Sequence, residues 1–352
     1  MGNVTTSEQN NITSPNGNSL AVFVEGTTGE MKVKDINGNI QPLSDFIILG
    51  ASSPFEYNAN ATGIQPILGT NDASGTNATI GGGFGNNASC NYATVGGGQN
   101  NTASGYRSTI GGGYNNTASY CYNTISGGRG NSTSYYNSTV GGGKDNNACR
   151  NYATIGGGNS NTAYGGSSII GGGGQNTASA DYSTVGGGDS NTASGNYSTI
   201  GGGASNSASG QTSTIGGGQN NTASCGGATV GGGYNNCASG YSSTVGGGFC
   251  NTASGNYSFI GTGEYNTASG THTHIVGGCY NVASGDFGSI LGGVYNNTNT
   301  CSYAMIVGSN ITADRVCTTF VNNLSIKNIP TSGVGLPIGA IYRSGGALCI
   351  VY

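Results

Sequence analysis

The 352-residue sequence has no tryptophan, two histidines and only 6% charged residues. Its net charge is −4, so we expect no basic surface that could neutralise the phosphates of a nucleic acid. It has no run of about eighteen apolar residues, and we therefore predict no transmembrane segment. Residues 1–9 lack the basic and apolar regions of a secretory signal, and none is expected.

Groups suited to catalysis or metal binding are also scarce. His272 and His274 are the only histidines, and the acidic residues of residues 71–308 are isolated, so no carboxylate pair can be proposed. The ten cysteines form no CxxC motif, which argues against zinc. They mostly replace serine, glycine or threonine, which indicates small-residue packing in a reduced compartment. We therefore predict that the protein is not an enzyme and has no catalytic residue, metal site or cofactor.

What the chain does contain is a strict repeat of fifteen residues. Its 71 glycines follow no Gly-X-Y triplet, which excludes collagen. One isoleucine or valine recurs in each repeat, and the fixed period is typical of a stacked-repeat fold. The predicted core residues are Ile80, Val95, Ile110, Ile125, Val140, Ile155, Ile170, Val185, Ile200, Ile215, Val230, Val245, Ile260, Ile275 and Ile290.

Asparagine recurs with the same period. Side-chain amides stacked at about 4.8 Å could hydrogen-bond from one coil to the next, as in cross-β stacks. A plain Asx-turn at each corner is an equal alternative, and both roles are structural. The predicted ladder, which begins at Asn71 and ends at Asn296, includes Asn86, Asn101, Asn116, Asn131, Asn146, Asn161, Asn176, Asn191, Asn206, Asn221, Asn236, Asn251, Asn266 and Asn281.

The repeat predicts an all-β fold, a parallel β-solenoid of about sixteen coils. Ser-Thr-Ile forms one short strand with its isoleucine inward, and Asn-x-Ala-Ser forms the second side with its alanine inward. The glycine triplet makes one corner, because glycine accepts positive φ, and Ser-Gly makes the other. A core of one isoleucine and one alanine per coil is small, so we expect several chains to associate.

Residues 191–203 and 251–263 contain Asn-Thr-Ala-Ser-Gly-x-Tyr-Ser-Thr-[Ile/Val]-Gly-Gly-Gly or a close variant. This motif resembles the head repeats of YadA-like trimeric autotransporter adhesins, and the resemblance covers about residues 71–308. It implies a left-handed parallel β-roll packed as a homotrimer, although each coil here has fifteen residues rather than fourteen. Similar tracts occur in fibre proteins of phages and large viruses. That family fits better, because the sequence lacks a signal, a coiled-coil stalk and a membrane anchor.

The two ends differ from the repeats. Residues 1–70 are predicted to form a β-rich docking or capping region, with a hairpin of strands 20–24 and 30–36. Residues 309–352 are predicted to be a C-terminal cap or tip, with a strand at 316–326 and a hairpin of 336–343 with 347–352. The C-terminal segment is similar to the ends of phage and viral fibre proteins. One end must fix the register between chains, since a fifteen-residue repeat could slip by one coil.

Two outward columns indicate binding. A tyrosine column could stack on sugar rings of a host-surface glycan, or it could lie in the seam between chains. A threonine column raises the alternative of ice binding, with a mixed column of Ala, Ser and Asn as its neighbour. The tyrosines are Tyr92, Tyr122, Tyr152, Tyr182, Tyr197 and Tyr257. The threonines are Thr79, Thr94, Thr109, Thr124, Thr139, Thr154, Thr184 and Thr199.

Together these features predict a non-enzymatic virion fibre or tail-fibre-like protein. We expect a homotrimer on a virion surface or extracellular appendage, docked at one end to a larger particle and active in host attachment. The alternative is a subunit of a self-assembling extracellular filament or surface layer, whose ends would join head to tail. A long apolar N-terminal cluster that pairs with the C-terminal hairpin of another copy would distinguish the filament. The receptor-binding residues are unknown from sequence.

Overall fold

The structure is a computed structural model, and it forms two compact units, residues 1–56 and 57–352. All regular elements of its described part are β-strands. The described residues are 10–13, 19–24, 31–34, 40–42, 55–57, 64–66, 70–322, 330–335, 337–338, 340–344 and 347–350.

The first unit contains an antiparallel meander of four strands in chain order. The second and third strands pair as the predicted hairpin, with Val22 opposite Val33. Residues 43–50, which include the apolar run Phe46-Ile-Ile-Leu49, lie outside the described residues. The meander strands are Asn10–Thr13, Ser19–Val24, Met31–Lys34 and Ile40–Pro42, and Phe55–Tyr57 follows them.

The second unit is the predicted parallel β-solenoid, with two strands per coil. Its first ladder, here called the isoleucine sheet, begins where Ile64 pairs with Thr79. The strands of this sheet are Ile64–Pro66, Thr79–Ile80, Thr94–Val95, Thr109–Ile110, Thr124–Ile125, Thr139–Val140, Thr154–Ile155, Ile169–Ile170, Thr184–Val185, Thr199–Ile200, Thr214–Ile215, Thr229–Val230, Thr244–Val245, Phe259–Ile260, His274–Ile275, Ser289–Ile290, Met305–Val307 and Thr319–Val321.

The second ladder, the alanine sheet, has fourteen strands. A third column, from Phe84 to Val294, connects successive coils through isolated parallel bridges. The strands of the alanine sheet are Asn87–Ala88, Thr102–Ala103, Thr117–Ala118, Ser132–Thr133, Asn147–Ala148, Thr162–Ala163, Thr177–Ala178, Thr192–Ala193, Ser207–Ala208, Thr222–Ala223, Cys237–Ala238, Thr252–Ala253, Thr267–Ala268 and Val282–Ala283.

The interior of each coil is closed within one chain. Every isoleucine or valine predicted for the core has 0% exposure. The same holds for nearly every inward residue of the alanine sheet. A third small residue is also buried, two positions before the isoleucine, as at Ala78 and Ser108. Burial of this residue is not predicted by the repeat pattern. The core of a coil is therefore larger than one isoleucine and one alanine.

Backbone hydrogen bonds run in both directions along the stack. The amide of Thr199 donates to the carbonyl of Ser213 in the next coil at 2.9 Å. The amide of Tyr197 instead donates to the backbone carbonyl of Asp181 in the preceding coil at 3.0 Å. Tyr197 has φ of 60°, a left-handed conformation that costs a non-glycine residue roughly 1–2 kcal/mol. The reversed hydrogen bond offsets that cost, because it satisfies an amide that would otherwise lie buried between coils.

The two corners use glycine differently from the prediction. In the triplet 201–203, only Gly203 has positive φ, 93°. A Cβ atom on Gly203 would lie 2.0 Å from the carbonyl oxygen of Gly218, whereas one on Gly202 would meet nothing within 4 Å. At the other corner, the expected Ser-Gly turn ends at Ser198, whose amide donates to Gly195 at 3.0 Å. The left-handed residue there is Tyr197, so a tyrosine rather than a glycine makes the bend.

The ladder continues past residue 308, where the sequence repeat stops. Ile290 pairs with Ile306, sixteen residues on, and Ile306 pairs with Phe320, fourteen residues on. One coil therefore gains a residue and the next loses one. Near the C-terminus, the predicted hairpin is present as Ile341–Ser344 paired with Ala347–Ile350. No helix in the part of the chain that the structure describes is long and apolar enough to cross a bilayer.

Candidate functional site

The asparagine column is a ladder that also closes a corner. In a typical coil, the Oδ1 of Asn191 accepts the backbone amide of Asn206 at 3.1 Å and its Nδ2 group at 3.0 Å. The Nδ2 of Asn191 donates to the carbonyl of Gly187 in its own coil at 3.1 Å and to Gly203 at 2.8 Å. The ladder asparagines from Asn86 onward are at most 1% exposed. Their role is therefore to hold adjacent coils together.

Titratable groups are scattered over the stack. Within residues 70–322 and the shorter described segments, no three histidines, cysteines or acidic residues converge as a metal site would require. Burial raises the pKa of the Cys149 thiol, an effect that its hydrogen bond to Tyr164 partly offsets. The side chain of Cys349 lies outside the described residues. The free cysteines of the described part are Cys90, Cys121, Cys149, Cys225, Cys237, Cys250, Cys279, Cys301 and Cys317.

The threonine column lies on the outer face of the isoleucine sheet, where Thr199 is exposed. Its expected neighbour, the column that includes Ala93 and Ser108, is buried with 0% exposure. An ice-binding face needs two exposed columns side by side. The arrangement therefore does not fit the ice-binding alternative.

Aromatic residues concentrate at one corner of five coils. We call this surface the tyrosine–arginine corner. It consists of the fifth, sixth and seventh residues of each of these coils, counted with the ladder asparagine as the first. Its fifteen residues include seven tyrosines, two arginines and no acidic residue. They are residues 90–92, 105–107, 120–122, 135–137 and 150–152.

The rings of this corner meet mainly edge to face. Tyr106 lies 5.7 Å from Tyr92 and 5.8 Å from Tyr122, with interplanar angles of 85° in both pairs. Tyr120 meets Tyr136 at 4.5 Å and 84°. A hydrogen bond with Tyr120 raises the pKa of the Tyr136 hydroxyl. The tyrosines other than Tyr106 are 41–60% exposed, so the corner presents ring surface and hydroxyl groups to solvent.

Both arginines of the corner lie over tyrosine rings. The Cζ atom of Arg107 is 5.4 Å from the ring centre of Tyr92 and 5.2 Å from that of Tyr106, and Arg150 lies 5.3 Å from Tyr135. Such distances are those of cation–π contacts. Neither guanidinium has an ion pair or hydrogen bond among the described residues. Their hydrogen-bond donors are therefore free for a ligand.

Aromatic residues in the last coils are arranged differently. Tyr257, His272 and Phe287 at the same seventh position, and Tyr303 one residue later in the coil that gains a residue, form a continuous parallel stack, here called the C-terminal stack. Successive ring centres are 4.8–4.9 Å apart, and the interplanar angles do not exceed 17°. A second parallel stack, of three tyrosines, lies at the other corner. Its members are Tyr265, Tyr280 and Tyr295.

The outer face of the isoleucine sheet also changes in the last coils. From Thr79 to Gly246 it carries mainly threonine and glycine, and beyond that point each coil has at least one large apolar residue there. We call this surface the apolar face, and each of its members is 38–51% exposed. They are Phe259, Val276, Leu291, Met305, Val307 and Val321. An apolar surface on one part of an otherwise polar stack is typical of an interaction site.

The tyrosine column was predicted from the sequence, but the arginines beside it and the apolar face were not. The sequence did contain signals for them. All four basic residues of residues 71–308 fall between positions 107 and 150. Four members of the apolar face replace the first glycine of the triplet in successive coils, and the other two, Phe259 and Met305, replace the threonine before the core residue. Comparison with known proteins finds neither a protein-family model nor a curated protein that matches this sequence.

Proposed function

We propose that the chain is a non-enzymatic structural fibre of a virion or tail-fibre type, with a role in host attachment. The observation that supports this most directly is the stack of about sixteen coils, each closed around its own core and joined to the next by the asparagine ladder. At about 4.8 Å per coil the stack extends on the order of 75 Å. A stack of this length is suited to holding a host-binding site away from the particle to which the chain is attached.

Within this proposal the fibre is a homotrimer of the kind that YadA-like head repeats form. It is fixed to a larger particle through its N-terminal unit and lies on the virion surface or on an extracellular appendage. The apolar face supports association of copies, because its six exposed apolar side chains would lose their contact with water in an interface. It lies on a side of the stack, which favours lateral packing over the head-to-tail joining of a filament.

Light scattering of the full-length chain without denaturant tests the proposal. We expect one discrete mass near three chains. A series of masses that grows with concentration would support a filament or surface-layer subunit instead. A single monomeric mass would contradict the trimer.

A matched pair of variants tests the role of the apolar face. Met305 and Thr199 occupy the same outward position of the isoleucine sheet. We expect Met305→Asp to lower the mass to one chain, because association would bury an unpaired carboxylate. Thr199→Asp should keep the wild-type mass. Circular dichroism checks that both variants are folded, and equal masses for the two would contradict the apolar face as the contact.

A further inference from the structure

We propose that the tyrosine–arginine corner binds an acidic glycan, that is, an oligosaccharide or polysaccharide with carboxylate-bearing sugars. This inference rests on the proposed role in attachment and names the surface and ligand class for it. Its first support is charge. In a chain of net charge −4, the five coils that build the corner, residues 86–160, hold all four basic residues of residues 71–308 but one acidic residue, Asp145. Asp145 lies at the opposite corner, beside Lys144 at 3.7 Å.

The second support is the state of the two arginines. A surface arginine can pair with a carboxylate of its own chain, which occupies its hydrogen-bond donors. Arg107 and Arg150 instead lie against tyrosine rings, which orient them without using their hydrogen-bond donors. The planar donor groups suit bidentate binding of a carboxylate. An incoming carboxylate would therefore meet oriented and unpaired donors.

The third support is the arrangement of the rings. Edge-to-face pairs leave more ring face uncovered than parallel stacks do, because each such pair covers the face of only one ring. The rings of Tyr92, Tyr106 and Tyr122 meet in this way. Sugar rings have apolar C–H faces that pack on aromatic faces, and their hydroxyl groups can bond to the tyrosine hydroxyls. The corner thus offers apolar, hydrogen-bonding and cationic contacts to one sugar acid.

The shape of the corner favours an extended ligand. It is three residues wide and runs through five coils, so its length is about 20 Å. A folded protein partner usually buries about 800 Å² on each side, which a ridge this narrow does not provide. Binding of a single-stranded nucleic acid is favoured by a basic groove that follows its backbone. This ridge has only two arginines, so it is not such a groove. A chain of sugar acids fits the ridge best.

A pair of double variants separates specific binding from general charge. Arg107→Gln with Arg150→Gln removes two positive charges from the tyrosine–arginine corner. Arg129→Gln with Lys144→Gln removes two positive charges from the opposite corner of the same coils. The probes are an array of sialylated, uronate-containing, sulfated and neutral oligosaccharides, together with polyglutamate and oligo-dT in solution.

We expect the wild-type chain and the control variant to bind carboxylate-bearing oligosaccharides, and the corner variant to bind them at least about tenfold more weakly. Equal weakening in both variants would overturn the proposal, because binding would then depend on net charge. Stronger binding of polyglutamate, oligo-dT or neutral sugars would overturn it as well, and so would absence of binding by the wild-type chain. Light scattering of the same variants reports on the fibre separately, since neither pair of substitutions touches the apolar face.

Discussion

The seventh position of the coil carries aromatic rings at both ends of the stack, but the rings are arranged in two ways. In the tyrosine–arginine corner, Arg107 separates Tyr92 from Tyr122 at this position, and both of these rings instead meet Tyr106, at the sixth position, edge to face. In the C-terminal stack, four coils in succession carry a ring, and the rings lie parallel. Tyr182 and Tyr197, in adjacent coils between these regions, are also parallel, 4.9 Å apart.

The difference follows from the spacing of the coils. Adjacent strands are about 4.8 Å apart, which is close to the distance at which aromatic rings pack. At the seventh position, rings in adjacent coils stack and cover each other's faces, as Tyr182 and Tyr197 do, whereas a ring at this position without such a neighbour keeps more of its face open to a ligand. The scaffold is the same in both regions, and at the seventh position the two regions differ in whether the neighbouring coil also carries a ring.

The largest expected effect concerns the ladder on which both regions depend. Asn191→Ala would leave the buried amide of Asn206 and the carbonyl of Gly187 without the partners they have now. We expect a loss of about 3 kcal/mol in the free energy of unfolding. Urea denaturation followed by circular dichroism measures it.

Asn196→Ala, an exposed position of the same coil, is the matched control and should change stability by less than about 0.5 kcal/mol. If both variants lost the same amount, the ladder would not be a main source of cohesion between coils.

The fold could be predicted from the sequence because its period is strict. The column from Ile80 to Ile290 needed only the spacing and the preference of branched residues for buried strands. The asparagine column was also evident, but its two possible roles were not separable, since spacing does not say which carbonyl an amide reaches. In the structure the Oδ1 atom forms the ladder, and the local bond is not that of an Asx-turn, because the Nδ2 group donates to a carbonyl four residues back, as Asn191 does to Gly187.

The surfaces could not be predicted to the same depth. A left-handed conformation is expected of glycine, so nothing in the sequence indicated that Tyr197 rather than Gly195 makes the bend. The contact of Arg107 with Tyr92 joins neighbouring coils, and its geometry depends on side-chain rotamers that a repeat pattern does not contain. The buried column that includes Ser108 was taken for a surface column, because serine and alanine suit either environment.

A substitution in the C-terminal stack should have an intermediate effect. His272→Ser removes the ring that lies between Tyr257 and Phe287. Two parallel ring pairs would be lost, each worth about 0.5–1.5 kcal/mol, so we expect the variant to be destabilised by about 1–3 kcal/mol. Thermal unfolding measures the change. Thr212→Ser, at the same coil position but outside any stack, should leave the unfolding temperature nearly unchanged, and an equal shift in both would mean that ring stacking adds little.

The smallest expected change in stability comes from giving the tyrosine–arginine corner the ring arrangement of the C-terminal stack. Arg107→Tyr would place rings in three adjacent coils, with Tyr92 and Tyr122 on either side. We expect a parallel stack to form, with a gain of about 1 kcal/mol in unfolding free energy and loss of acidic-glycan binding. Arg107→Gln is the control, since it should weaken binding without adding stability. If Arg107→Tyr bound acidic glycans as the wild-type chain does, binding at the corner would not depend on open ring faces and the free guanidinium of Arg107.

The hydrogen bonds that join each coil to its neighbours also bear on how the chain folds and on which changes in its length it tolerates. Nearly every partner in the stack is about fifteen residues away along the chain. Chains with such local contacts fold quickly, and repeat arrays can begin folding at any unit and grow by adding neighbours. Duplication or loss of a whole coil would leave every remaining coil in its own pairing register. We expect natural variants of this chain to differ in length by multiples of fifteen residues, with departures confined to the region after Ile290, where the structure already accommodates one.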